Sequence, residues 1–201
     1  MKRRKILVTG GCGFIGSNFI LYWLREHPHD SIVNVDALSY AGNKENLVAI
    51  ADNPHYHFVH ADICDKERMS VLTKGVDSII HCAAESHVDN SILDPALFIR
   101  TNVMGPLTLL EAARKNTIKH FHHISTDEVF GALPLESTTK FTEKTAYDPR
   151  SPYAASKASA DLLAISYFVT HKLPAIITRS CNNLGPYQYP EKVIPLFITN
   201  L

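Results

Sequence analysis

Glycines at positions 10, 13 and 16, arriving directly after the aliphatic run Ile6-Leu7-Val8, constrain this chain more than any other feature. A Gly-x-x-Gly-x-x-Gly stretch between an apolar run and the helically spaced apolar residues of Phe14–Leu24 reads as strand, tight turn and helix. In that setting glycine lets the backbone turn sharply, approach phosphate groups and pack the helix on the strand. The helix N-terminus favours the negative charge. A second aliphatic run, Ser31-Ile32-Val33-Asn34-Val35-Asp36, ends in a carboxylate twenty residues after Gly16. An acid there accepts hydrogen bonds from adenosine ribose hydroxyls and repels a 2′-phosphate, so the expected ligand is NAD rather than NADP. Phe14 and Ile15, inside the loop, are expected to touch it.

The strand-and-helix rhythm continues down the chain. Ser39–Asn53 is polar with a short helical periodicity at Leu47 and Ile50, and Tyr56–His60 reads as a third strand. Asp62 beyond it is expected either to meet the adenine amino group or to cap the helix opening at Asp65-Lys66-Glu67. Asp77–Cys82 is the fourth strand and runs into Ala83-Ala84, small enough for a cofactor to lie against the backbone. Asp94–Lys115 is helical in pattern, and Gly105-Pro106 inside it predicts a kink or break. His120–Ser125 is a fifth strand, Ala132–Arg150 a loop, Pro152–His171 a strong helix, and Leu173–Ser180 contains a sixth strand. Strands alternating with helices at this period mean a parallel sheet covered on both faces, a Rossmann-like, doubly wound α/β fold. Ligands then sit beyond the carboxyl ends of the strands, where the glycine loop, Asp36, Ala83-Ala84 and Thr126 all fall.

Composition narrows the function. With 20 basic and 20 acidic residues in 201 and 45% hydrophobic residues, the chain is neither disordered nor an obvious nucleic-acid binder. The basic opening Lys2-Arg3-Arg4-Lys5 precedes an apolar run too short for a signal peptide, and nothing later approaches a membrane span, so a soluble, cytoplasmic protein is expected. Cys12, Cys64, Cys82 and Cys181 lack Cys-x-x-Cys spacing and read as small buried residues rather than a disulfide framework or zinc site. His120 and His122 fall on one side of a strand, which makes a metal conceivable. With no carboxylate or thiol at ligand spacing, a polar strand entry is the better reading, and no metal is expected.

The chemistry is carried by Ser125-Thr126-Asp127-Glu128-Val129 and by Tyr153-x-x-x-Lys157. The first runs a hydroxyl and two carboxylates off the end of an apolar strand; the second puts phenol and ammonium on one helical face. A phenol acts as a base near neutral pH only if its pKa falls, which a nearby lysine and a cationic nicotinamide can bring about. Thr126 can hydrogen-bond the same substrate hydroxyl while Lys157 holds the nicotinamide ribose.

Together with the glycine loop, these motifs resemble the extended short-chain dehydrogenase/reductase family over essentially all 201 residues. Tyr40-Ala41-Gly42-Asn43, Ala83–Asp89 and Asn182–Tyr187 narrow the resemblance to its nucleotide-sugar 4,6-dehydratases. The GDP-mannose dehydratases to which the chain is similar carry serine where Asp127 stands. The resemblance implies a hydro-lyase acting on dTDP-glucose. Tyr153 takes the 4-hydroxyl proton as C4 is oxidised, Glu128 removes the C5 proton, Asp127 protonates the departing 6-hydroxyl, and hydride returns to C6. A keto-deoxy sugar results. It also implies cofactor contacts from Asp62, Ile63, Ala83, Ala84, Thr101 and Asn183, and substrate contacts from Ser86, Thr126, Asn182, Lys192 and Val193. Pro106, Phe130 and Leu184 are mild departures from the family's pattern.

A nucleotide-sugar 4-epimerase, which needs only Thr126, Tyr153 and Lys157, is the nearer alternative, and a noncatalytic NAD-binding protein the more distant one. A homodimer through Asp94–Lys115 and Pro152–His171 is expected from the resemblance. Residues 1–180 read as the NAD-binding domain and 181–201 as the start of a substrate-binding region. Val193–Ile198 begins like a helix and looks cut, so the 201 residues are expected to bind NAD with little turnover.

Overall fold

A computed structural model describes residues 3–201; Lys2, in the basic opening, lies outside the described residues. Six strands form one sheet: β1 (Lys5–Thr9), β2 (Ser31–Asp36), β3 (Tyr56–His60), β4 (Ser78–His81), β5 (His120–Thr126) and β6 (Ala175–Ser180). Their order is β3-β2-β1-β4-β5-β6, and every pairing is parallel. β1 is central, with Ile6 opposite Ile32 on one side and Ser78 on the other.

Alternation in β1 divides the core between two faces. Ile6 and Val8 join Ile20 and Leu24 of helix α1 (Phe14–Glu26) and Leu47 of a 3-10 turn at Lys44–Ile50. Leu7 faces the other way, with Val33, Val35 and Ile79, onto α2 (Lys66–Leu72), α5 (Gly105–Lys115) and α6 (Pro152–His171); α3 (Val88–Leu93) and α4 (Pro95–Ile99) precede α5. β2 is buried along its whole length, which is why its aliphatic run is unbroken. α6 starts where Ser151 accepts the Ala154 N–H at 3.0 Å and Pro152 presets the first turn. The last helix, α7 (Val193–Thr199), buries none of its residues.

Of the kink or break expected at Gly105-Pro106, the break is absent. α4 passes into α5 through a π-helical segment, Arg100–Met104. Pro106 has no N–H to give the carbonyl of Asn102 and would crowd it, and the widened turn accommodates the ring without ending the helix. The cysteines also depart from expectation. Cys12 is buried, Cys64 and Cys82 are half-buried, and Cys181 is exposed; none is bridged. Among the described residues, no helix is long and apolar enough to cross a membrane, and no three His, Cys, Asp or Glu side chains are placed to hold a metal.

Candidate functional site

Beyond the carboxyl ends of the strands lies a cleft of about 750 Å³. Its floor is the glycine loop. Gly10 sits at φ +68°, donates to Val35 O at 2.9 Å, and lies so close to the chain after β4 that a Cβ there would stand 2.6 Å from Ala83 Cα. A Cβ on Gly16 would stand 2.2 Å from Gly10 O, so that glycine lets α1 pack on the loop. Gly13 differs: an added Cβ meets only Gly10 O, at 3.4 Å, and the residue lines the cleft. Asp36, 7% exposed, anchors the loop by accepting Cys12 N–H and Leu38 N–H, each at 2.8 Å.

At one end Asp62 accepts Cys64 N–H at 2.8 Å and pairs with Arg100 at 2.5 Å. The helix cap belongs instead to Asp65, which accepts Arg68 N–H at 2.9 Å. Arg100 and Thr101 reach the cleft from the π-helical segment. Within that segment the buried Asn102 accepts Glu85 N–H and donates to Glu85 O and Ser156 Oγ, each at 2.9 Å. It therefore fastens the loop carrying Ser86 to α6.

At the other end β5 delivers Thr126, whose hydroxyl accepts Glu128 N–H at 3.2 Å and caps a 3-10 turn, Asp127–Phe130. Helix α6 brings Tyr153 and Lys157 to the same wall. Burial, and after it the Glu128 carboxylate, push the Tyr153 phenol up, opposed by a hydrogen bond to Thr126. The phenol is thus raised in the protein alone, and the lysine expected to lower it gives its ammonium to Ile124 O at 2.7 Å. Lys157 is itself brought down to about 8 by burial, against the opposing charges of Asp161 and Cys82. Burial, then Asp127, raises Glu128, which strengthens it as a base; Lys192 opposes this.

The rim joins distant segments. Tyr40 Oη lies 3.1 Å from Ser86 Oγ and 3.2 Å from Glu191 Oε1, and Lys192 Nζ donates to Ser86 O at 3.2 Å. Asn182, Asn183 and Val193 complete this side.

Every residue singled out in the sequence for cofactor or substrate lines this one cleft: Gly10, Gly13, Phe14, Ile15, Gly16, Asp36, Asp62, Ile63, Ala83, Ala84, Ser86, Thr101, Thr126, Tyr153, Lys157, Asn182, Asn183, Lys192 and Val193. Glu128 does too. Asp127 is the exception: it is half-buried, 3.4 Å from the Thr126 hydroxyl, and not on the cleft wall, although its charge acts on both Glu128 and Tyr153. Sequence reasoning missed Arg100 and Glu191. Each is marked only by a partner far away in the chain, and Tyr40 carried no role beyond its part in a motif.

The family model described as GDP-mannose 4,6 dehydratase matches residues 7–201. The chain belongs to that family. It is 51% identical over 215 residues to dTDP-glucose 4,6-dehydratase 1 of Escherichia coli K12, covering 98% of this chain and 59% of the relative. A crystal structure of a dTDP-glucose 4,6-dehydratase from Streptomyces venezuelae, with NAD bound, superposes at TM-score 0.93 with 48% identity over 98% of this chain and 61% of that one. A UDP-N-acetylglucosamine 4-epimerase from Methanobrevibacter ruminantium superposes at 0.89 with 30% identity, over 99% of this chain and 63% of that one. The chain thus spans about three fifths of the length of these members of the dehydratase family and its structural neighbours.

Proposed function

We propose that these residues form the cofactor-binding and catalytic part of an NAD-dependent dTDP-glucose 4,6-dehydratase. Residues 1–180 would hold the dinucleotide and 181–201 begin the region that holds the sugar nucleotide. The observation that carries the reading is the placing of Thr126, Glu128, Tyr153 and Lys157 on one wall of a cleft whose floor is an open glycine loop.

The cleft fits the dinucleotide by its shape and its donors. Gly13 leaves room for phosphates to approach the backbone at the start of α1, Asp36 faces the cleft as an acceptor for ribose hydroxyls, and Ala83-Ala84 present a flat backbone wall. When bound, NAD supplies the acceptor for hydride from C4 and its return to C6. The chain's own residues move the protons. Tyr153 takes the proton of the 4-hydroxyl, positioned by Thr126, and needs the positive charges of Lys157 and of the cofactor to offset the burial that raises it. Oxidation at C4 acidifies C5, and Glu128, half-buried and raised, is the base suited to that proton. Asp127 donates to the departing 6-hydroxyl, which requires it to turn towards the cleft from its position beside Thr126.

A 4-epimerase would leave Glu128 idle, whereas here its carboxylate faces the cleft and acts on the Tyr153 phenol. Mass and NMR analysis of the product that a protein extended to the full length of its relatives makes from dTDP-glucose decides between them. Loss of water with a 4-keto-6-deoxy product supports the dehydratase, and an isomer of unchanged mass refutes it. We further propose a cytoplasmic homodimer. Support comes from the unbridged cysteines and from Leu162, Ile165, Phe168 and Val169, exposed together along α6.

A further inference from the structure

One helical turn beyond Lys157, on the same buried face of α6, stands Asp161, a carboxylate with no solvent exposure. It plays no part in the chemistry above. Burying a carboxylate is costly unless cations and donors surround it, and this one is surrounded. Its Oδ2 accepts from Arg179 Nε of β6 at 2.7 Å and from Tyr147 Oη at 3.3 Å. Its Oδ1 lies 3.4 Å from Nε2 of His123, a ring 1% exposed that is too poorly aligned for a hydrogen bond. His123 in turn stacks on His81 at 5.2 Å, and His81 Nδ1 lies 2.7 Å from Thr9 Oγ1 on the central strand.

Lys157 is embedded in this network. The groups that act on it or that it acts on are Asp161 on its own helix, Cys82 and His81 at the end of β4, and His123 on β5, with Arg179 of β6 reaching it through Asp161. Burial, with Lys157 beside it, holds His123 down to about 4, and burial drives His81 lower still than an ordinary imidazole, so near neutral pH both rings are uncharged. That leaves Asp161 as the anion of the buried layer, ion-paired with the Arg179 guanidinium at 2.7 Å and acting at longer range on the Lys157 ammonium one helical turn away.

We infer that Asp161 is a positioning residue for the Tyr153–Lys157 pair: anchored by Arg179, its carboxylate keeps Lys157 in the ammonium form and aimed at Ile124 O and the cleft. The inference rests on the reading of Tyr153 and Lys157 given above, and it deepens that reading. It assigns a purpose to an otherwise unexplained buried charge, and it makes Arg179 a counterweight, since a guanidinium on the same carboxylate weakens the hold of Asp161 on Lys157.

The test is titration of Lys157 by the 13Cε resonance of labelled protein, assigned by its loss in Lys157→Met, and it needs neither cofactor nor sugar. The unmutated midpoint is expected near 8. Asp161→Asn should lower it by about one pH unit, the usual scale for removing a neighbouring opposite charge, and Asp161→Glu should restore it. Arg179→Gln should move it upward. Opposite shifts in the Asn and Gln variants support the inference; an unmoved midpoint in Asp161→Asn, or shifts in the same direction, overturn it. If Asp161→Asn does not fold, the double variant Asp161→Asn/Arg179→Gln, which removes the buried pair together, decides: a midpoint below that of Arg179→Gln alone supports the inference, and an equal or higher one overturns it. Absence of dehydratase turnover in a protein extended to the full length of its relatives would refute the proposed function and leave this titration standing.

Discussion

Alanine at Gly13 and alanine at Gly16 should fail in different ways, and the difference tests where the phosphates lie. At Gly16 the new methyl stands 2.2 Å from Gly10 O and 2.7 Å from Gly11 Cα, so the loop or α1 has to move by about 1 Å to restore ordinary contact distances near 3.4 Å. Overpacking of this kind costs roughly 1–3 kcal/mol, of which the better helix propensity of alanine offsets about 0.8–1 kcal/mol. The net cost of about 0–2 kcal/mol should lower Tm by up to roughly 8 °C, at about 2–4 °C per kcal/mol for a chain of this size. At Gly13 the backbone lies at φ −80°, ψ 179°, open to any L-residue, and the methyl meets only Gly10 O at 3.4 Å. A less flexible unfolded chain gains about 0.4–1 kcal/mol, and the poorer helix cap loses a similar amount, so Tm should barely change. The methyl nevertheless projects where the pyrophosphate must approach. NAD affinity should drop at least tenfold, about 1.4 kcal/mol, by calorimetry. A Gly13→Ala protein that folds normally and binds NAD as tightly as the unmutated chain would refute the placing of phosphates over this loop.

In a protein extended to the full length of its relatives, Glu128→Gln should abolish exchange of the C5 hydrogen with solvent deuterium, because an amide cannot take that proton; exchange at the native rate would remove Glu128 as the base. The same change should stabilise the fold. Glu128 has its pKa raised, so ionising it costs stability that is absent below the unfolded-state value of about 4.3 and fully present above its folded value. Tm should rise at pH 8 and stay unchanged at pH 4, and a fall at pH 8 would contradict the desolvation argument. NAD should bind more tightly than NADP, and Asp36→Asn should narrow the gap while costing about 1–3 kcal/mol of stability, since an amide oxygen cannot serve both Cys12 N–H and Leu38 N–H; equal affinities in the unmutated chain would sink the Asp36 assignment. Phe168→Glu on α6 should convert a dimer to monomer in sedimentation at micromolar concentration, and a dimer that survives it would move the interface elsewhere.

Where the sequence spoke clearly, a local cause was responsible. β2, β3 and α6 begin and end at the residues read from the chain, because burial on both faces sustains the aliphatic run of β2 and a serine-proline start fixes α6. That the glycine loop and strand-end acids line one cleft was legible for the same reason, as glycine spacing and strand-end acids are local signals. What stayed hidden depends on pairing across the chain. Tyr40 meets Glu191 and Arg100 meets Asp62 only after the sheet has assembled. The register of Asp127 was lost because a strand and a 3-10 turn rotate successive side chains differently, and nothing in Thr-Asp-Glu-Val marks where one gives way to the other. Asp161 carried no sequence signal, since small and apolar residues surround α6 on nearly every side and no polar face can be told from the pattern.

The central place of β1 has a consequence for how the chain is made. β2 can pair with one edge of β1 almost as soon as both leave the ribosome, but the other edge waits for β4, whose Ser78 lies opposite Ile6. Until then Ile6, Leu7 and Val8 present bare backbone donors and acceptors beside aliphatic side chains, the combination that recruits foreign strands. Nascent chains from which β4 has not yet emerged should therefore be sticky and draw holding chaperones, and once it emerges the bare edge passes from β1 to β4 until β5 pairs with it. That pairing also ties Cys82 N to Thr9 O and brings Ala83 under Gly10, so one wall of the cleft and the covering of β1 form in a single event.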